Sequence, residues 1–181
     1  MRRAVFLDRD GVINRAVVRE GRPFPPASVR DMEFLSGVAE AIEALRRAEF
    51  RIIVVTNQPD VATGHQRRET VEAIHAQLRA SFPIDDIKVC YHADQDGCSC
   101  RKPKPGLLFE AAMQWSLDLT RSFMVGDRWR DIEAGKAAGC KTILVGGGYA
   151  ERQAEHPDAV VASLLEASRV ILSDRMTGVG G

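Results

Sequence analysis

Short apolar runs recur along this chain, and each is followed further on by a segment with helical spacing. Ala4-Val5-Phe6-Leu7, Arg51-Ile52-Ile53-Val54-Val55, Ile87-Lys88-Val89, Ser122-Phe123-Met124-Val125 and Lys141-Thr142-Ile143-Leu144-Val145 have the length and composition of strands. The second is apolar on both faces, as expected of a central parallel strand. Between them, residues 38–50 carry Val38, Ala41, Ile42 and Leu45 at helical spacing, and residues 67–80 carry Val71, Ile74 and Leu78. Further helices are expected from Pro105, suited to a first turn, to Trp115, over 132–138 with Gly139 as the stop, and over 159–172. Repeated strand-then-helix order predicts a doubly wound, Rossmann-like α/β fold with a mostly parallel sheet. In such folds ligands bind beyond the carboxyl ends of the strands. Here three strands end on polar groups: Asp8 with Asp10, Thr56 with Asn57, and Asp127.

Size and charge restrict the function. A length of 181 residues with no evident linker predicts a single domain over 1–181. Lys plus Arg and Asp plus Glu both total 25, so no global field favours nucleic acid or a membrane surface. An anionic ligand must therefore be held by local cations. The apolar stretch after Met1-Arg2-Arg3 is too short for a signal peptide, and no run approaches the roughly 18 apolar residues of a membrane span. The expectation is a cytoplasmic protein, and a monomer, since the fold needs no partner. Residues 21–28 (GRPFPPAS) are expected to form an ordered surface flap, and 177–181 to fray. Gly146-Gly147-Gly148 lacks the spacing of a dinucleotide fingerprint and a following helix, so it is expected to be a flexible loop.

The polar strand ends fit phosphoryl transfer. In Asp8-Arg9-Asp10-Gly11 two carboxylates can face one pocket if the chain turns at Gly11. Asp8 can attack phosphorus to give an aspartyl-phosphate, and Asp10 can serve as acid and then base. Two anions approach each other only with a cation, which implies Mg²⁺. Thr56 and Asn57 offer neutral donors to phosphoryl oxygens. Arg101, Lys102 and Lys104 supply cations just ahead of a helix start, as a transferring phosphoryl group requires. Asp127 can ligate Mg²⁺ directly, while Asp131 can support it from behind or cap the next helix.

Taken together, the segments DxDGxxN, hhhTNQ, RKPKPG and GDxxxD resemble the four signature motifs of the haloacid dehalogenase superfamily, in the same order, over about residues 4 to 145. The resemblance implies a phosphatase with Asp8 as nucleophile, Asp10 as general acid/base, Thr56 as phosphate ligand, and Lys102 rather than Lys104 as the stabilising cation. It implies Mg²⁺ held by Asp8, the Asp10 main-chain carbonyl and Asp127, with Asn57, Arg101 and Arg128 binding substrate.

Cys90, His92, Cys98 and Cys100 form C-x-H-x5-C-x-C, a closed ligand set of the kind that binds structural zinc. A zinc loop directly before RKPKPG, and the lack of room for a large cap domain, narrow the resemblance to members acting on small phosphate esters. The implied substrate is heptose 1,7-bisphosphate at the 7-position, with histidinol phosphate as the rival. A binding module without turnover would require loss of a catalytic group, and a polynucleotide 3′-phosphatase would need a basic stripe. Neither is seen. Cys140 is expected to be a buried small hydrophobe, His65, His75 and His156 surface or helix-face residues, and Trp115 and Trp129 to pack on helices.

Overall fold

The structure, a computed structural model, describes residues 1–177, with side chains as far as Asp174. Thr177 closes the last helix, and the rest of the tail expected to fray, 178–181, lies outside the described residues. In chain order the elements are β1 (Ala4–Leu7), β2 (Val17–Arg19), β3 (Arg22–Phe24), α1 (Val38–Arg47), β4 (Arg51–Asn57), α2 (Arg68–Ser81), β5 (Asp86–Cys90), α3 (Gly106–Trp115), β6 (Phe123–Gly126), α4 (Trp129–Ala138), β7 (Lys141–Val145), β8 (Ala159–Val161) and α5 (Leu164–Thr177).

Strand alternation sets the layers. Successive side chains of a strand point to opposite faces, and β1 is buried throughout, so it feeds two cores. Val5 and Leu7 pack with Val38, Ala41, Ile42 and Leu45 of α1 and with Ala167 and Ile171 of α5. Ala4 and Phe6 pack on the other side with Leu107, Leu108 and Ala111 of α3 and with Ala134 and Ala138 of α4. Burying a side chain of Leu or Phe size contributes about 1.5–3 kcal/mol, so these two clusters hold the helices to the sheet.

The six-stranded sheet runs β5-β4-β1-β6-β7-β8, with every pairing parallel. The chain moves outward from β1 to β4 and β5, then crosses back to β6 on the other side of β1. That reversal opens a crevice at the carboxyl ends of the central strands. Register fills it with the motif residues. Leu7 lies opposite Val54 on one side and Val125 on the other, so Asp8, Thr56 and Asp127 all emerge at the same end.

Two segments depart from the sequence reading. Residues 159–161 do not begin a helix; they add an edge strand beside β7, and α5 starts at Leu164. Asp158 fixes the start of that strand, its Oδ2 accepting from Thr142 N at 2.7 Å and Thr142 Oγ1 at 2.9 Å. The flap at 21–28 is partly a β-hairpin, with β3 antiparallel to β2 across the Glu20-Gly21 turn. Between β1 and β4 the chain supplies only this hairpin, a short 3₁₀ turn and α1, so among the described residues no large cap covers the crevice. Among the described residues no helix is long and apolar enough to cross a membrane. Cys140 is buried as expected, packed with the core between the sheet and α3 and α4.

Candidate active site

Asp8 sits one residue past β1 and is 8% exposed. Its Oδ1 accepts from Lys102 Nζ at 2.9 Å, and the same ammonium donates to Asp131 Oδ1 at 2.6 Å and Val55 O at 2.7 Å. All three hydrogens of the ammonium are thus directed. The backbone of Lys102 is held in turn by Asn57, whose Nδ2 donates to Lys102 O at 3.0 Å and whose Oδ1 accepts from Lys102 N at 3.1 Å. Asn57 therefore uses its amide to place the lysine. Lys104 points elsewhere, its Nζ donating to Gly97 O and Cys98 O. Asp131 takes the capping role, its Oδ2 accepting from Arg128 N at 3.0 Å at the start of α4, while its Oδ1 meets Lys102.

Asp10 is held by residues that the motif reading left unassigned. Its Oδ2 accepts from Arg9 Nη2 and from Gln58 Nε2, both at 2.9 Å, and its Oδ1 accepts from Asn14 Nδ2 at 3.0 Å. Gln58 Nε2 also reaches Thr56 Oγ1 at 2.9 Å, joining the first two motifs. Arg9 is fully buried and its Nη1 lies 3.1 Å from His75 Nε2. His75 is on a helix, α2, but its place is buried, not at the surface: it is 4% exposed beneath the Arg9 guanidinium. Burial first, and the Arg9 charge second, push its imidazole down to about 4.

The ligand atoms of Asp8, Asp127 and Asp131 lie within 4.8 Å of one another. Burial, then the neighbouring Asp8 and Asp131 charges, raise Asp127 well above the ordinary carboxylate range. Burial likewise lifts Asp8 to about 6, opposed by Lys102 and assisted by Asp131 and Asp10. Burial opposes the charge on Lys102, but Asp131 and Asp8 outweigh it and hold the ammonium above its usual value. One ammonium against these carboxylates leaves the site short of positive charge. Asp127 Oδ2 accepts from Tyr149 Oη at 2.6 Å, while its buried Oδ1 has no hydrogen-bond partner. Gly11 makes room: a Cβ there would fall 1.9 Å from Asp127 Oδ2. A hard cation with oxygen ligands fits this donor set.

A cleft of about 250 Å³ opens above these groups, with Asp8, Asp10, Thr56 and Lys102 at its floor. Arg22 and Phe24 of the hairpin form one wall, and Arg128 and Arg130 another. Arg128 is bound by Glu151, its Nε donating to Oε1 at 2.9 Å. Arg101 stands back from the lining: its Nε donates to Asp94 Oδ1 at 2.7 Å, and Arg130, absent from the sequence reading, takes the place in the cleft while pairing with the same Asp94. A wider hollow of about 750 Å³ lies at the amino ends of the strands, lined by Arg2, Arg51 and Lys141 among others, and holds none of the motif side chains.

Beside the cleft, Cys90, His92, Cys98 and Cys100 converge. Their sulfurs are 3.2 to 3.7 Å apart, and His92 Nδ1 is 3.6 Å from Cys90 Sγ and 3.3 Å from Cys100 Sγ. Tetrahedral zinc with Zn–S of about 2.3 Å needs edges of roughly 3.8 Å, so the cluster fits the ion after only a small expansion. Cys100 stands two residues before Lys102, which links this cluster to the cleft floor.

A parallel sheet with an aspartate past its central strand, a lysine bridging it to a second carboxylate and a third buried carboxylate close by defines a phosphohydrolase of the haloacid dehalogenase type. The HAD-hydrolase-like family model matches residues 99–167. The chain is 34% identical to D-glycero-beta-D-manno-heptose-1,7-bisphosphate 7-phosphatase of Helicobacter pylori (strain J99) over 151 residues, 79% of this chain and 82% of that protein. It is 36% identical to the protein of the same name from Pseudomonas putida over 159 residues, 83% of this chain and 86% of the other. Among solved structures, the D,D-heptose 1,7-bisphosphate phosphatase of B. bronchiseptica, complexed with magnesium and phosphate, superposes with a TM-score of 0.79 at 30% identity, covering 95% of this chain and 99% of that one. The chain belongs to the haloacid dehalogenase family and is a phosphatase.

Proposed function

We propose that this phosphatase removes the 7-phosphate of D-glycero-D-manno-heptose 1,7-bisphosphate through an aspartyl-phosphate on Asp8. The observation that carries the chemistry is the placement of Asp8 at the cleft floor with Lys102 Nζ 2.9 Å from its Oδ1. The names of the relatives from Helicobacter pylori and Pseudomonas putida support the substrate.

The Asp8 carboxylate attacks phosphorus while Asp10 gives a proton to the departing sugar oxygen. In the second half Asp10, now a carboxylate, takes a proton from the water that attacks the aspartyl-phosphate. Inorganic phosphate leaves and Asp8 is regenerated. The bonds from Arg9, Gln58 and Asn14 keep Asp10 aimed through both halves. Thr56 Oγ1 meets the phosphoryl oxygens, and the Lys102 ammonium, its hydrogens already directed, supplies positive charge beside them as their own charge rises. Asp8, the Asp10 main-chain carbonyl and Asp127 would hold Mg²⁺, with Asp131 adjoining, and the ion when bound supplies the charge that lets a phosphate approach these carboxylates. The guanidinium groups of Arg22, Arg128 and Arg130 give the cleft its affinity for the rest of an anionic sugar. Cys90, His92, Cys98 and Cys100 hold structural zinc, which orders the loop leading into Lys102.

Phosphate release in the presence of Mg²⁺ from heptose 1,7-bisphosphate, histidinol phosphate, fructose 1,6-bisphosphate and a 3′-phosphorylated oligonucleotide tests the assignment. The expected result is a kcat/KM preference of about a hundredfold for the heptose, roughly 2.7 kcal/mol of transition-state discrimination. An equal or greater kcat/KM on histidinol phosphate would overturn the substrate.

A further inference from the structure

Gly146-Gly147-Gly148, expected to be a flexible loop, lead into a strap that returns to the crevice. Their φ values are +66°, +118° and +102°, a left-handed path that side-chain-bearing residues rarely follow. Gly146 N donates to Val161 O at 2.8 Å as the strap leaves β7. The turn brings Tyr149 back over the carboxyl end of β6, half-buried, with its hydroxyl donating to Asp127 Oδ2. The next residue ties the strap to the hairpin, as Ala150 N donates to Gly21 O at 2.8 Å. Glu151 then grips Arg128 through both carboxylate oxygens. Tyr149 is thus fixed from both sides by contacts outside the cation site.

We infer that Tyr149 is a positioning residue for that site: its hydroxyl holds Asp127 Oδ2 and so presents Oδ1 to the cation. The two oxygens of Asp127 have opposite surroundings. Oδ2 is confined between Tyr149 Oη and Gly11, where an added Cβ would lie 1.9 Å from Oδ2 and 3.0 Å from the hydroxyl. Oδ1 is buried and has no hydrogen-bond partner, a costly arrangement unless a cation completes it. A carboxylate locked at one oxygen loses little further freedom when the other binds a metal. Outer hydrogen bonds of this kind are worth about 10- to 100-fold in metal affinity. Tyr149 lies in the segment after β7, outside every motif that marks this chain as a phosphatase.

The inference rests on the reading of Asp127 as a Mg²⁺ ligand, so its test includes both residues. Mn²⁺ shares the preference for oxygen ligands, and its free ion is counted by electron paramagnetic resonance without substrate or turnover. Binding of Mn²⁺ alone to the full chain is measured for wild type, Tyr149→Phe and Asp127→Asn, with Mg²⁺ competition giving the Mg²⁺ affinity, and with the melting temperature of each metal-free protein. Tyr149→Phe removes one oxygen and keeps the ring, and is expected to weaken both ions by about tenfold. Its phosphatase deficit should shrink as Mg²⁺ is raised. Unchanged or tighter binding by Tyr149→Phe, with binding lost in Asp127→Asn, would overturn the positioning role and leave the metal-site reading in place. Full binding by Asp127→Asn would overturn the metal-site reading and this inference with it.

Discussion

Lys102 Nζ stands 2.9 Å from Asp8 Oδ1 at the floor of the cleft, and the Asn57 amide brackets the lysine backbone from the end of the neighbouring strand β4. The ammonium compensates two buried carboxylates, since it also bonds Asp131 at 2.6 Å. Lys102→Met should lower kcat by about 10²- to 10³-fold, the scale of removing one preorganised charge. It should also destabilise the metal-free protein by about 3–5 kcal/mol, because the carboxylates lose their partner. Steady-state kinetics together with urea unfolding in the absence of metal measure both. A stable variant with near-normal kcat would show that the lysine is dispensable.

His75 gives the stability of the protein a defined response to acid. Its imidazole titrates near 4 in the folded chain, against an ordinary value of 6.5. The unfolded chain therefore takes up a proton as the pH falls through 6.5, while the folded chain does not until about 4. Stability is lost across that window, by on the order of 3 kcal/mol when the fall is complete. The charged groups around the ring are Arg9, Glu72, Asp10 and Arg79. His75→Gln removes the titration and should flatten the dependence of unfolding free energy on pH between 7 and 4.5. Equal slopes in the two proteins would assign the acid sensitivity to other groups.

Zinc removal should be felt at the cleft. Cys100 is two residues from Lys102, and Lys104 Nζ is bonded to the carbonyls of Gly97 and Cys98 in the same loop. The expectation is one zinc per chain by elemental analysis, and a lower melting temperature with a reduced kcat after chelation or in Cys98→Ser. A zinc-stripped protein that keeps its full rate when given only Mg²⁺ would separate the cluster from catalysis.

Much of this was legible in the sequence because parallel strands are apolar throughout and stop abruptly at the residues that do chemistry. Asp8, Thr56 and Asp127 could be placed together from strand ends alone, and the register confirms that they share one end of the sheet. The edge strand β8 was read as helix because Ala159-Val160-Val161 is too short for its periodicity to distinguish the two, and its pairing with β7 is a tertiary fact. His75 lies four residues after Val71 and three before Leu78, on the buried stripe of α2, so its spacing points inward and only its polar ring argued for the surface. What no local pattern announces is its partner, the Arg9 guanidinium. Arg130 and Tyr149 were missed for a similar reason: their roles depend on where α4 and the strap after β7 return to the crevice. The one available signal was the run of three glycines, which marks a turn that only unusual backbone angles can make.

Asp8→Asn tests the central claim most directly, since it removes the nucleophile while keeping the shape of the side chain. With saturating Mg²⁺ and heptose 1,7-bisphosphate, kcat should fall by more than roughly a thousandfold in a protein whose circular dichroism matches wild type. Retention of more than about a thousandth of the wild-type rate would mean that Asp8 is not the group that attacks phosphorus.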